Sequence, residues 1–382
     1  MPSLAVHVIA LGPESLPSAP IFPSPSPSPF PLAPPAPSLA KSLADAIVAR
    51  LPPEEAAHVT RYKRDRDRLA SAACRIFARS AAKAVLERHP RLAGTKTGEA
   101  DLAWCRITKD ARGMPSFAPP FGHVSLSLAH HGVLSAAAAF HNEGSALAHA
   151  RTGLPRLQVG VDVVDLNEPT PNSLGGVDGL VDSLAPWLHP HDHALVLSIP
   201  PPHRLAVLLT LWACKEALAK ATGEGLAGGG GAGGENRARD VGWMPVSWPA
   251  WWGPCPGRAT SDAHAHPHGS SVDGSKAVTQ FRPVRDRGAD TSSSPAVAVQ
   301  CQLVRPSPDS SPHVVAVALV AAAAADAERS DGAALTPART AQELEEMLEQ
   351  QGGVVVVEWE RVVGWFGRDR GGGMAGAGVG NG

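Results

Sequence analysis

A β-branched apolar run at residues 157–164 carries a single carboxylate, Asp162, and a strongly helical stretch at 203–221 carries Glu216 and Lys220. The run reads as a buried strand, and a carboxylate inside it is expensive unless a cation or donor meets it. On a helix Trp212, Glu216 and Lys220 recur every fourth residue, so an aromatic ring, a carboxylate and an ammonium share one face. Gly223 and Gly225 supply the stop signal for that helix. Two acids on separate elements, with a lysine one turn beyond the second, can hold a divalent metal against a phosphate. Mg²⁺ suits such a pair, because it accepts one or two carboxylates and fills its other positions with water and phosphate oxygens. Asp162 and Glu216 are therefore the metal candidates. Alone, each is an ordinary structural acid; the specificity lies in the combination.

The remaining elements are ordered around these two. Residues 6–11 read as an edge or first strand, and 42–51 and 67–86 as helices, the second with arginines on its flanks. Residues 104–107 and 124–128 read as strands separated by the turn at Gly113 and Pro115, and 134–140 as a further strand or a buried helix. The run 157–164 is expected to be the central strand. Residues 314–325 read as a buried strand, too short to span a bilayer. Thr340 and Glu343 form a capping box before a short amphipathic helix with Leu344, Met347 and Leu348 on one face, and 354–365 adds a strand-like tail.

Composition limits how much of the chain can build a core. Of 382 residues, 38 are Gly and 37 Pro, and they are clustered. A Pro/Ser-rich loop at 13–40, a low-complexity insertion at 228–312 with scattered tryptophans and only short strand-like islands such as 297–303, and a tail at 371–382 are expected to be mainly loops or disordered. The net charge of −2 gives no global pull toward nucleic acid or an anionic membrane. Five dispersed cysteines without a Cys-x-x-Cys pair suit a reducing compartment, and the start resembles neither a secretory signal nor a transit peptide, so a cytoplasmic location is expected.

Other residues could contact phosphate. His130 follows Ser127 at a strand-to-turn junction, where a ring donor and nearby amides could meet a phosphate oxygen. Lys109 and Arg112 flank the Gly113 turn as a small cationic loop, and Arg61, Lys63, Arg64, Arg66 and Arg68 form a dense basic stretch. Each is also compatible with solvated charge or an ordinary histidine. The basic stretch lacks the interleaved aromatics of a nucleic-acid surface. The glycines from 223 onward follow a helix instead of joining a strand to one, so they are not a phosphate loop. The His-rich segments 189–193 and 264–268 could bind zinc or nickel, but such clusters in biased sequence are usually incidental.

Taken in order, Gly113-x-Pro115, His130, Gly160-Val161-Asp162 and Trp212-x-x-Lys215-Glu216-Ala217-x-x-Lys220-Ala221-x-Gly223-x-Gly225-Leu226 resemble the 4′-phosphopantetheinyl transferases of the Sfp type, most closely the eukaryotic aminoadipate-semialdehyde dehydrogenase transferase. The resemblance runs from about residue 44 to 226, and the spacing of Asp67, Arg75 and Arg79 is similar too. It implies an α+β, pseudo-dimeric fold of two halves, 1–156 and 157–370, with coenzyme A in the cleft between them. It implies transfer of the phosphopantetheine arm of coenzyme A to a serine of an acyl or peptidyl carrier protein, with release of adenosine 3′,5′-bisphosphate. By position, Asp162 and Glu216 match Mg²⁺ ligands, and Lys220 and His130 pyrophosphate contacts. Lys109, Arg112, Ser127 and Arg61 fall in coenzyme-contacting segments, and Glu216, Lys220 and Asp162 are the catalytic set.

The expected protein is a monomer with no nucleic-acid or membrane partner. It departs from the family pattern at Ala129 (commonly serine), Met114 (often lysine), Val164 (a second acid in bacterial members) and His58 (arginine). The alternative is an inactive relative that binds coenzyme A or a carrier protein without turnover.

Overall fold

The computed structural model describes residues 3–10, 39–88, 105–110, 113–119, 121–132, 134–141, 156–167, 174–224, 237–249, 252, 278–284, 296–305, 311–322, 342–344, 346–348 and 355–356. They form an α+β molecule with two largely antiparallel sheets, each backed by a long helix. The first half begins with β1 (Ser3–Ala10), α1 (Leu39–Val48), α2 (Pro53–Val59) and α3 (Asp65–Glu87). Strands β2 (Ile107–Lys109), β3 (Pro115–Phe117), β4 (Val124–His131) and β5 (Leu134–His141) follow. The order β1-β5-β4-β3-β2 is antiparallel throughout, and β11 (Val355–Val356) adds a short parallel strand beside β1.

The second sheet starts with β6 (Arg156–Asp165), which is followed by α4 (Gly176–Leu184), α5 (Pro190–Ser198), α6 (Pro201–Thr222) and the short α7 (Arg237–Asp240). Strands β7 (Gly242–Pro245), β8 (Val278–Val284), β9 (Ala296–Val304) and β10 (His313–Ala322) complete the order β6-β10-β9-β8-β7.

Period-2 alternation explains the layers. On β6, Val159, Val161 and Val163 face a core shared with Leu134, Ala136, Ala138 and Phe140 of β5 and Val315, Val317 and Leu319 of β10, and this core fuses the two sheets. Val164, from the opposite face of β6, joins the α6 core with Val314, Ala316 and Ala318. Leu126, Ala137 and Ala139 face α3. The helix α6 meets β6 at very close range: a Cβ built on Gly160 would overlap Ala217 O and lie 2.7 Å from Ala221 N. Glycine on the strand and alanines on the helix are what this approach requires. Gly223, left-handed at φ 75°, ends α6 and donates to Ala219 O at 2.9 Å.

Several expectations change. The 157–164 run is a strand, but it is the outer strand of its own ladder and not the central one. Its free edge lies against β4, where Val161 N donates to Ser127 Oγ at 2.9 Å. Residues 134–140 form a strand, and the strand expected at 104–107 is found at Ile107–Lys109. The short α2, opened by prolines, was not anticipated, and residues 39 and 40 of the Pro/Ser-rich span already belong to α1.

The largest correction concerns 228–312. Its described residues supply β7, β8 and β9 and bury Trp243, Trp252 and Phe281 in the α6 core, each worth roughly 1.5–3 kcal/mol. The strand-like island at 297–303 is β9, whereas β7 and β8 lie among Gly, Ser and Pro stretches too short to show a period. Leu344 and Leu348 are buried in the inter-sheet core with Met347 packed beside them, as the amphipathic pattern required. Residues 13–38, 253–277 and 371–382, and all of 354–365 except 355–356, lie outside the described residues.

Candidate functional site

A cavity of about 360 Å³ opens between the halves. Its lining includes His58, Tyr62, Cys74 and Arg75 from α2, α3 and their link, Lys109 and Gly113 to Pro115 from the β2–β3 hairpin, Ser127 and His130 from β4, and Glu216, Lys220 and Gly223 from α6 and its cap. Asp162 stands behind Lys220: alternation on β6 puts it on the α6 side, and Lys220 Nζ donates to its Oδ1 at 2.7 Å. Asp162 is only 8% exposed, and burial pushes its carboxyl above the usual range while Lys220 opposes the shift. Burial also raises Glu216, and the charge of Asp162 adds to that rise.

Two neighbouring carboxylates that both resist ionisation form a donor set that a hard divalent cation would relieve. Among the described residues no cluster of three or more His, Cys, Asp or Glu side chains could hold a metal. A cation at Asp162 and Glu216 would therefore complete its shell with water and ligand phosphate, as Mg²⁺ does. Val164, where a second strand acid could have stood, is buried in the α6 core.

The opposite wall is cationic. His130 meets Tyr62 edge-on at 6.0 Å between ring centroids, and burial lowers its pKa. His58 is likewise lowered, first by burial and then by Arg75, Lys109 and Arg61. Arg75 is held by its bonds to Ser71 O and Oγ, both 2.8 Å, and its Nε lies 3.8 Å from Glu55 Oε2.

Glu55 is the organiser that the sequence did not reveal. It is 4% exposed, accepts from Arg79 at 2.7 and 3.2 Å, and takes the Ile107 N–H at 2.8 Å. It thereby fixes β2, and with it Lys109, against α3. No local signal marks it, because its partners lie far along the chain. The β2–β3 turn is closed by Asp110, which accepts from Gly113 N and Met114 N at 2.9 Å each, with Gly113 at φ 82°.

The sequence-derived set is thus divided. Glu216, Lys220, Lys109, Ser127 and His130 share the cavity, and Asp162 joins through Lys220. Ser127 is 2% exposed and its oxygen already accepts from Val161, so it also ties the sheets together. Arg61 is exposed and does not line the cavity, although its charge reaches His58. Arg112 lies outside the described residues. Trp212 packs against the α6 core and not into the cavity with Glu216.

Lys215, adjacent to Glu216, points the other way. It is fully buried, 3.0 Å from Asp192 Oδ2, and donates to Val241 O at 2.7 Å. Asp192 Oδ1 in turn accepts from Trp243 N at 2.7 Å. One acid within the His-rich 189–193 segment therefore ties α5, α6 and β7 together, while His189 caps α5 by accepting from His191 N at 3.1 Å. Residues 264–268 lie outside the described residues.

No helix among the described residues is long and apolar enough to cross a membrane. No curated protein matches the chain. Residues 158–249, the segment that holds Asp162, Asp192, Lys215, Glu216 and Lys220, match the family model of the 4′-phosphopantetheinyl transferase superfamily.

Proposed function

We propose that the protein is an Sfp-type transferase that moves the phosphopantetheine arm of coenzyme A to a serine of an acyl or peptidyl carrier protein and releases adenosine 3′,5′-bisphosphate. The observation that carries this reading is the meeting, at one cavity between the halves, of the Asp162–Lys220 pair and Glu216 with the cations Lys109 and Arg75 and the ring of His130. The superfamily match over 158–249 supports phosphopantetheine transfer in general.

In this reading the carrier serine is the nucleophile, so the enzyme needs no activated serine or cysteine of its own. Glu216 takes the serine proton, and its raised pKa makes it the stronger base for that task. Lys220, oriented by its bond to Asp162, faces the pyrophosphate and offsets charge as the phosphorus–oxygen bond to the nucleotide breaks. Mg²⁺ held by Asp162 and Glu216 would add Lewis-acid neutralisation of the same charge. His130 donates from a ring kept neutral by burial, and Lys109, with Arg61 and Arg112, completes the coenzyme contacts. The halves are taken as 1–156 and 157–370, and the enzyme as a cytoplasmic monomer.

The alternative, a coenzyme-binding relative without turnover, draws on Met114 and Ala129. Ala129 is 6% exposed and packs in the inter-sheet core, on the face of β4 away from His130, so its methyl group removes nothing from the cavity. Met114 does line the cavity, and only it favours the alternative.

The test is the mass of an apo carrier protein after incubation with coenzyme A and Mg²⁺. A gain of one phosphopantetheine arm, abolished by EDTA, is expected. No gain with several unrelated carriers, despite coenzyme A binding, would establish the alternative.

A further inference from the structure

We propose that Glu55 is a positioning residue for the coenzyme, acting through the β2–β3 hairpin to set how Lys109 meets its phosphates; this rests on the transferase reading above. Glu55 does not line the cavity, so any influence on a ligand there passes through other groups. The hairpin is the part of the cavity wall that depends on it most.

Strands β2 and β3 are three residues each, and β2 is the outermost strand of its sheet. The register of β3 on β4 is Ser116 opposite Ser125, and Phe117 anchors the hairpin on its core side. Two further fixed points face the helices. Cys105 O accepts from Arg79 Nη2 at 2.8 Å, and Ile107 N donates to Glu55 Oε1 at 2.8 Å. Lys109 follows two residues later at the exposed end of β2. A short edge hairpin has little pairing of its own to hold it, so the Glu55–Arg79 pair fixes its distance from α3.

The chemistry of that pair explains why the hairpin is bound to it. A buried ion pair is stable only when its remaining lone pairs are also met. Glu55 and Arg79 are 4% and 1% exposed and join through two bonds, at 2.7 and 3.2 Å. Ile107 N supplies the donor that Oε1 still needs. Arg79 is fully buried and does not line the cavity. Arg75 does, but its Nη1 donates to Ser71 O and Oγ at 2.8 Å each, whereas its Nε lies 3.8 Å from Glu55, so its place is set within α3. Loss of the carboxylate therefore releases the hairpin and not Arg75, and Lys109 is the cation that moves. Glu216, Lys220 and Asp162 stand on the other half, so the chemistry of a bound coenzyme is left in place.

The experiment measures arm transfer to an apo acyl carrier protein, with coenzyme A varied, per mole of folded protein. It uses the full chain, Glu55→Gln, Glu55→Asp, Lys109→Ala and the double variant Glu55→Gln with Lys109→Ala. Glu55→Asp keeps the charge opposite the arginines but falls a methylene short of the Ile107 amide, and it takes the place of Glu55→Gln in the cycle should the latter not fold. Each single variant should raise the KM for coenzyme A about tenfold, the scale of one lost charged hydrogen bond. In the Glu55 variants kcat should stay within about twofold of wild type, because binding is lost equally in the ground and transition states. The double variant should match Lys109→Ala within about twofold, since two changes acting on one contact do not add.

An unchanged KM in folded Glu55→Asp would overturn the proposal and leave Glu55 a purely structural residue. So would a double variant whose KM rises by the product of the two single effects, because Glu55 would then act by another route. Either result leaves the transferase reading standing. Should the wild type bind coenzyme A without transfer, the same cycle is read from calorimetric Kd values with the same two outcomes. A wild type that neither transfers the arm nor binds coenzyme A would overturn both.

Discussion

Lys220 Nζ lies 2.7 Å from Asp162 Oδ1, so a lysine near the end of α6 meets the buried carboxylate of β6 across a sequence separation of 58 residues. The pair answers the problem set by an acid inside an apolar strand. It also leaves Lys220 in the cavity, one turn from Glu216, where the same ammonium can face a phosphate.

Replacing Lys220 with Met leaves Asp162 buried without its cation. Stability at pH 7.5 should fall by roughly 1–3 kcal/mol, the cost of an unsatisfied buried polar group. Loss of Lys220 also removes the influence that lowers the already raised carboxyl, so Asp162 takes up a proton more readily and the deficit should shrink as pH falls. Urea unfolding of both proteins at two pH values measures this.

Glu216 is half-buried on a well-packed helix, and its amide is nearly isosteric. Glu216→Gln should therefore leave the thermal midpoint within a few degrees of wild type and lower arm transfer by about 100-fold or more, the scale of a lost general base. Calorimetry paired with carrier mass analysis separates folding from chemistry, and wild-type transfer by this variant would refute the assignment.

Gly160→Ala tests the contact between β6 and α6. The new methyl group would overlap backbone atoms of Ala217 and approach Ala221 N at 2.7 Å, and backbone cannot rotate away as a side chain can. The expected loss is roughly 1–3 kcal/mol or more. Transfer by the folded fraction should also fall, because α6 moves away from Asp162. Transfer normalised to folded protein decides whether geometry was lost along with stability.

The buried Lys215–Asp192 pair lies away from the chemistry. Lys215→Ala strands Asp192 and should cost about 3–5 kcal/mol, whereas Lys215→Met combined with Asp192→Leu should restore much of that loss. Denaturation midpoints of the single and double variants measure the difference.

Burial lowers the pKa values of His58, His130 and His313 below the ordinary 6.5. The unfolded chain then binds more protons than the folded protein just below that value. Stability is fully present above pH 6.5 and is lost as pH falls through the folded pKa values. His130→Gln should reduce this slope, which unfolding free energies between about pH 7.5 and about pH 5 would reveal.

Local pattern determined much of this protein. The β-branched runs at 157–164 and 314–325, the helices at 67–86 and 203–221, and the placing of Glu216 and Lys220 on one face all follow from periods of 2 and 3.6 within single segments. Asp162 announced its need for a cation for the same reason: one strand's burial can be inferred from its own composition.

Only the tertiary structure decided the rest. It put β6 at the edge of its ladder against Ser127, turned Lys215 toward Asp192 and away from Glu216, and set Glu55 between Arg79 and the β2 amide. It also assembled β7 to β9 out of the 228–312 segment. Those outcomes depend on which segments pair at long range, and the charges and short strands involved carry no local period that names their partners.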